Sequence, residues 1–424
     1  MRIWLLQSGE QLPSDTPGSG TRLMRTGTVA CMLDAAGHEV TWWAGTFNHT
    51  TKRQRASTYT ETELFDRSRV CLLPGLAYAR NVSLARLLNY RQVAGEFAWH
   101  AKRQPLPDIV LAAYPSIDLA AAAVRFARQH QVPVVVDIRD LWPDIFMEAL
   151  PPILRPFSGI FLNYYGGLKR RALQNADVIW GTSDKFIEWG LSAAGRPRRL
   201  QDQAFALAYQ GAHGDTASLA AARAHWASTL KTGANAEVFC YIGSFGERVL
   251  DLETVIEAAR QASQRGFDYR FVLCGTGPSL QRHQDLATGL PNVIFPGLID
   301  ASAVLALMEI STAGLVPYKP LWDFQMTVPN KAIEYLSAGL PMLASQGGEV
   351  AQLIDEHACG IAYRAGDVAS LLDALALSTT AGFRHAAHAA ARTLFEQRFD
   401  ASVVYQQYID ALLKLTKTEN ALPA

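Results

Sequence analysis

Short apolar runs alternate with longer helical patterns along the whole chain, and that alternation dictates βαβ units with parallel sheets. In the first half the strand candidates are Arg2–Gln7, Glu39–Trp43, Arg69–Leu73, Asp108–Tyr114, Val132–Asp137 and Asp177–Gly181. Helical segments Thr21–Ala36, Leu84–Arg103, Ile117–Gln129 and Ile160–Asn175 separate them. The rhythm breaks around Gly195–Gly214, at Arg196-Pro197-Arg198-Arg199 and two glycines. It resumes with Val238–Gly243, Tyr269–Gly275, Val293–Phe295, Gly314–Pro317, Met342–Ser345 and Ile361–Tyr363. Between these lie Leu252–Ser263, Ala301–Glu309, Asn330–Ala338 and Val368–Leu377. The predicted fold class is α/β, with two Rossmann-like doubly wound parallel-sheet domains at residues 1–205 and 206–400. A last helix, Ala401–Leu415 within 401–424, is expected to pack back on the first domain. Ligands of such sheets sit outside the carboxyl ends of the strands, so an interdomain cleft is the expected site.

Bulk composition narrows the classes. At 424 residues the chain exceeds the ~100–200 of one domain. Hydrophobic residues make up 49% and charged ones 18%, the mark of a packed globular protein. A formal net charge of +0 argues against nucleic acid as a partner. Cys31, Cys71, Cys240, Cys274 and Cys359 are scattered without CxxC spacing, which fits reduced thiols in a cytoplasmic protein and no metal site. The opening MRIWLLQSGE reads as a buried strand and lacks a signal-peptide pattern. Pro156–Leu168, the longest uncharged apolar-leaning stretch near the middle, is shorter than the ~20 residues of a spanning helix.

Three glycine-bearing turns follow strand candidates: Pro17-Gly18-Ser19-Gly20-Thr21-Arg22, Gly243-Ser244-Phe245-Gly246 and Gly275-Thr276-Gly277-Pro278. Glycine lets backbone N–H groups approach an anion, although tight βα turns need glycine without any ligand. The sharpest segment runs from Val328 to Pro341, VPNKAIEYLSAGLP. Asn330 is a candidate helix cap, and Lys331 and Glu334 share one face of the first turn. Two readings stand for that pair: Glu334 accepting ribose hydroxyls while Lys331 neutralises phosphate, or a surface ion pair.

The stretch VPNKAIEYLSAGLPMLAS, with Gly347-Gly348-Glu349 after it and GTGP upstream, resembles the donor domain of retaining GT-B glycosyltransferases of family 4. Asn292–Gly297 and Tyr241-Ile242-Gly243 fit the same pattern in order. TRLMRTGTVACMLDAAGHEVTWWAGTFNH and VVVDIRDLWPD resemble the acceptor domain of a bacterial subgroup that builds O-antigen, capsule or other surface polysaccharide. The resemblance implies the GT-B fold, a nucleotide-sugar donor, most simply a UDP-sugar, and no cofactor or DxD-bound metal. It sets the Gly18/Gly20 loop opposite the donor diphosphate. It also sets Gly243, Gly275, Gly277, Leu298 and Ile299 along the nucleotide, and Glu334 on the ribose. Family members carry a glutamate where this chain has Met326, and Arg and Lys where it has Ser244 and Val249. Arg248 and Lys331 are the candidate replacements for that cationic pair.

A departing nucleoside diphosphate leaves an oxocarbenium-like sugar, so fixed cations and backbone dipoles must stabilise the leaving group. Arg139 and Asp140 are candidates for positioning acceptor or sugar, against a reading as loop cap and salt bridge around Trp142-Pro143. The segment from Arg155 through Ile160, Phe161, Leu162, Tyr164 and Tyr165 to Lys169, Arg170 and Arg171 joins an apolar face to cations. It reads either as core or as peripheral membrane contact. His49, Lys52, Arg53 and Arg55 could meet a polyprenyl-diphosphate-linked acceptor, or belong to an ordinary solvated loop. The expected place is then the inner face of the cytoplasmic membrane. The rivals are a UDP-sugar 2-epimerase of the same architecture and a catalytically lapsed, nucleotide-sugar-binding homologue.

Overall fold

The computed structural model describes residues 1–15, 23–80, 83–145, 159–211, 215–230, 236–345 and 347–418, leaving aside the side chains of 160, 161, 417 and 418. It divides into two compact units, Met1–Phe205 with Tyr405–Ala424, and Ala206–Val404.

The first unit holds a seven-stranded sheet. Its strands are β1 (Arg2–Leu6), β2 (Glu39–Gly45), β5 (Thr60–Phe65), β6 (Ser68–Leu73), β7 (Ile109–Tyr114), β8 (Val134–Ile138) and β9 (Val178–Gly181). They lie in the order β5-β6-β2-β1-β7-β8-β9, parallel except for β5. The parallel strands are covered on both faces, which is why they read as continuous apolar runs. The edge strand β5, TETELF, is half-exposed and carries Glu61 and Glu63, charges that protect an open edge. A hairpin of β3 (Phe47–Asn48) and β4 (Arg53–Gln54) projects beyond β2.

Among the described residues the helices α1 (Arg25–Ala35), α2 (Leu84–His100), α3 (Ile117–His130) and α4 (Gly159–Gln174) lie between these strands, and α5 (Asp184–Ala194) follows β9. Ser83 and Ser183 cap α2 and α5 through their side chains, and Gly195 closes α5 in the left-handed conformation at φ 66°. The core is aromatic: Trp4 stacks on Phe126 and meets Trp43 edge-on, each at 5.1 Å between centroids.

The second unit contains β10 (Glu237–Ile242), β11 (Tyr269–Cys274), β12 (Val293–Gly297), β13 (Ala313–Val316), β14 (Met342–Ala344) and β15 (Gly360–Ala362). All are parallel, in the order β12-β11-β10-β13-β14-β15. Its helices are α6 (Thr216–Leu230), α7 (Leu252–Gln264), α8 (Leu280–Leu286), α9 (Ala301–Ile310), α10 (Asn330–Ser337), α11 (Glu349–His357), α12 (Val368–Ser378) and α13 (Ala381–Arg398). Counted along the chain, the parallel strands of each sheet follow the doubly wound order 3-2-1-4-5-6.

The chain closes with α14 (Ala401–Thr418), whose residues from Tyr405 onward belong to the first unit. Tyr408 anchors it there, its ring 4.6 Å from Trp180 and 4.9 Å from Phe205.

Candidate active site

In a doubly wound sheet the crevice opens where the strand order reverses. In the second unit that point lies between β10 and β13. Tyr335, from α10, occupies it: its hydroxyl accepts from the Ile242 amide at 3.1 Å and reaches the carbonyls of Cys240 (3.3 Å) and Leu315 (3.4 Å). The ring fits because residue 314 is glycine; a Cβ there would collide with it.

The glycine turns lie against one another. Gly243 donates to the Cys274 carbonyl at 3.0 Å, and Gly275 to the Gly297 carbonyl at 2.8 Å. A Cβ on Gly275 would run into the Gly243 carbonyl oxygen, and one on Gly277 would stand 2.5 Å from the Phe245 oxygen. These glycines are therefore required by loop-to-loop packing. Gly275→Ala, at φ 132° and against backbone, should cost about 1–3 kcal/mol in urea-induced unfolding. The same contacts bring Leu298 and Ile299, after β12, to the carboxyl end of the sheet, where Leu298 is 77% exposed.

The expected cap of α10 is corrected. The helix begins at Asn330 itself, and Pro329 occupies the cap position without a side-chain bond. Asn330 is exposed. Lys331 is no surface ion-pair member either: it is only 7% exposed. Its ammonium lies 3.6 Å from the centre of the Tyr241 ring and 5.1 Å from that of Tyr318. A Cβ at Gly243 would sit 2.7 Å from that Nζ, so the glycine makes room for the cation. Burial pushes the Lys331 ammonium down to about 7, and Glu334 opposes the shift. Glu334 follows on the same helix, half-buried. Arg248, in the loop after β10, donates to Asp323 at 2.8 Å. Gly347 and Gly348 precede α11, and a Cβ on Gly348 would meet the Gln325 carbonyl.

In the first unit the corresponding region is a buried ion network. Asp137, at the end of β8 and 0% exposed, accepts from Arg25 (3.2 Å), Arg139 (2.7 Å) and the Tyr408 hydroxyl (2.9 Å). Burial would raise its carboxyl, but Arg139 and Arg25 outweigh it and hold the group below the usual carboxylate value. Arg139 also reaches Thr26 Oγ1 at 2.8 Å and Glu10 at 3.4 Å. Burial opposes its charge, yet Asp137 and Glu10 keep it more firmly protonated than usual. Glu10 accepts from the Thr26 amide with both oxygens at 3.1 Å, which satisfies the first turn of α1 where Met24 offers no side-chain cap. Asp140 follows in the same loop, half-buried.

Other sequence candidates have settled partners. Arg55 pairs with Asp15 at 2.6 Å, and Lys169 with Asp144 at 2.8 Å beneath Trp189. Tyr165 is buried whereas Tyr164 is exposed, and Arg155 with the side chains of Ile160 and Phe161 lies outside what is described. Arg196 forms a bidentate pair with Asp202, and Arg198 meets Asp184 at 2.7 Å. Gly18 and Gly20 lie outside the described residues. Sequence reasoning gave no site role to Tyr241, Tyr318 or Glu10; the signal for the tyrosines was their place beside strand ends. Among the described residues no group of three or more His, Cys, Asp or Glu could hold a metal ion. No helix among them is long and apolar enough to cross a membrane.

Two doubly wound parallel units, one with packed glycine turns and a buried lysine at its switch point, are the architecture of a GT-B glycosyltransferase. Family comparison agrees. Residues 23–202 match the glycosyl transferase 4-like domain, and residues 236–378 match glycosyl transferases group 1. The chain is a glycosyltransferase of this two-domain kind. Among solved structures, sucrose-phosphate synthase from Thermosynechococcus elongatus is similar at 17% identity and TM-score 0.69, covering 98% of this chain and 99% of that one. Anabaena HepE in complex with UDP-glucose is similar at 16% identity and TM-score 0.61, covering 98% and 100%. WaaG, a glycosyltransferase involved in lipopolysaccharide biosynthesis, is similar at 15% identity and TM-score 0.62, covering 97% and 99%. These likenesses concern the fold. No curated protein matches the sequence.

Proposed function

We propose that the protein moves a sugar, with retention, from a UDP-sugar to a lipid-linked or oligosaccharide acceptor in surface-polysaccharide assembly. The observation that carries the donor reading is Lys331, a cation held beneath two tyrosine rings at the switch point of a doubly wound sheet. With its ammonium pushed down to about 7 by burial, it gains most from an anion at that place. HepE in complex with UDP-glucose supports a uridine diphosphate donor, and WaaG, with its part in lipopolysaccharide biosynthesis, supports the acceptor class.

In this reading Glu334 accepts hydrogen bonds from the ribose hydroxyls. The loops of Gly243, Gly275 and Gly277, with the backbone of Leu298 and Ile299, line the nucleotide. When the anomeric C–O bond breaks, its electron pair leaves with the UDP oxygen. Lys331 and Arg248 then stabilise the growing negative charge while the acceptor hydroxyl attacks the anomeric carbon and passes its proton to the departing diphosphate oxygen. On the acceptor side, Asp140 positions the incoming hydroxyl, and Arg139 holds that loop through Asp137, Thr26 and Glu10. The acceptor would keep the enzyme peripheral at the inner face of the cytoplasmic membrane.

The direct test is Glu334→Ala. UDP affinity should fall about 10- to 100-fold by calorimetry, the range of a hydrogen bond to a charged group, with an unchanged circular dichroism spectrum. Unchanged affinity removes Glu334 from the site. Transfer should also survive chelation, since cations of the chain serve the diphosphate; full, metal-reversible loss would overturn that assignment.

A further inference from the structure

Helix α2 has an apolar stripe on each side. The inner one, Asn89, Val93 and Phe97, is buried, and Phe97 meets Trp4 and Trp43 edge-on. The exposed positions are Leu84, Leu88, Arg91, Gly95, Ala98 and Trp99. At about 100° per residue these six fall within a sector of about 100°, a single stripe about 24 Å long. Leu84 is 78% exposed, Leu88 55% and Trp99 60%. A helix that meets only water turns charged and polar side chains outward, yet of these six Arg91 alone is charged.

The loop before the helix widens the patch. Leu76, Ala77 and Ala79 are exposed, and the Leu76 carbonyl accepts from Asn89 Nδ2 at 2.7 Å, which ties the loop to the second turn of α2. Cations frame it. From Leu76 to Arg103 the chain carries Arg80, Arg86, Arg91, Lys102 and Arg103 against one acid, Glu96, in a protein whose 39 basic and 39 acidic residues balance. Arg80, Arg91, Lys102 and Arg103 are exposed, whereas Arg86 is half-buried and donates to the Tyr90 hydroxyl at 2.8 Å. Glu96 lies 3.6 Å from His100 on the same helix. Arg91 acts on the carboxyl of Asp118, which is buried on α3 and pushed up to about 6 by desolvation. The Arg103 guanidinium lies 3.9 Å from the centre of the Trp99 ring.

An apolar stripe with cations at its middle and both ends complements an anionic lipid surface. A second copy on a two-fold axis would instead set Arg91, near the middle of the stripe, against Arg91. We propose that the outward face of α2, with the Leu76–Arg80 loop, docks on an anionic lipid bilayer. Leu84, Leu88 and Trp99 enter the headgroup boundary, and the exposed cations meet lipid phosphates. The inference rests on the reading of a lipid-linked acceptor, which gives the contact its purpose. It moves that contact from α4, where Lys169 is held by Asp144, to α2.

The test is flotation of the full chain with vesicles of phosphatidylcholine alone, and of phosphatidylcholine and phosphatidylglycerol in equal parts. Wild type should float with the mixed vesicles, and Leu84→Glu/Leu88→Glu should weaken partitioning at least tenfold. Glutamate suits the start of a helix, so this variant should keep its circular dichroism spectrum and its UDP affinity. Arg80→Gln/Arg91→Gln should weaken partitioning by roughly fivefold per charge, and added salt should weaken wild type in the same direction. Equal partitioning of wild type and the glutamate variant, or equal binding to neutral and mixed vesicles, overturns the docking face. A concentration-dependent dimer that the glutamate variant abolishes, with no vesicle binding, gives the stripe to a second copy and overturns it as well. The vesicles contain neither donor nor acceptor. Bound vesicles with no transfer to any lipid-linked glycan leave the face standing and sink the acceptor reading, whereas UDP binding without vesicle binding sinks the face alone.

Discussion

Lys331→Met should lower kcat/KM for sugar transfer by about 100- to 1000-fold, the loss expected when a preorganised charge at a developing oxyanion is removed. The same variant should be more stable than wild type, because it no longer buries an ammonium beneath Tyr241 and Tyr318. The sign of the pH dependence follows from the native value of about 7 against the ordinary 10.5. Below pH 7 both folded and unfolded chains hold the proton, and the native state carries the full cost of the buried charge. Between about 7 and 10.5 the unfolded chain binds more protons, so wild-type stability rises and the advantage of the variant shrinks.

UDP affinity runs the other way. An anion prefers the protonated lysine, so binding should be tightest below pH 7 and weaken above it. A terminal phosphate titrates near 6, which makes the wild-type-minus-variant difference the quantity to measure. Calorimetry in buffers of different ionisation enthalpy should find proton uptake in wild type and less in Lys331→Met. Equal uptake in both would place the anion elsewhere.

Asp137→Asn should destabilise the protein by about 3–5 kcal/mol in urea-induced unfolding, since it leaves Arg25 and Arg139 buried beside an uncharged amide. The group has a depressed native value, so its contribution is complete above the ordinary 3.8 and vanishes as pH falls through that lower value. Wild type should therefore lose stability in acid more steeply than the variant. Tyr408→Phe, which removes one hydrogen-bond donor and no charge, should cost only about 1 kcal/mol. Equal losses from the two substitutions would mean that packing of the terminal helix, and not the ion network, sets the stability.

The parallel strands were legible because burial on both faces writes each as an unbroken apolar run, as in Ile109–Tyr114 or Phe271–Cys274. β5 was not, since TETELF lies on an edge and carries water-facing charges. α13 was also missed: Ala387, Ala391, Leu394 and Phe395 form its buried stripe, and alanine gives that stripe little contrast. In the site, the spacing of Lys331 and Glu334 was plain, but which residue faced the sheet depended on how α10 docks. The ion network was beyond local reading. Arg139 and Glu10 are separated by 129 positions and Tyr408 and Asp137 by 271, and no local pattern links partners so distant.

The aromatic ring of Tyr335 resting on Gly314 has a consequence for anyone recombining such enzymes. The two positions form a single volume divided between a strand and a helix, with the larger share assigned to the helix. A donor half spliced between them from a chain that divides the space otherwise would bring two side chains, or none, to the place where β10 and β13 part. Crossovers in chimaeras should therefore keep residues 314 and 335 from one parent.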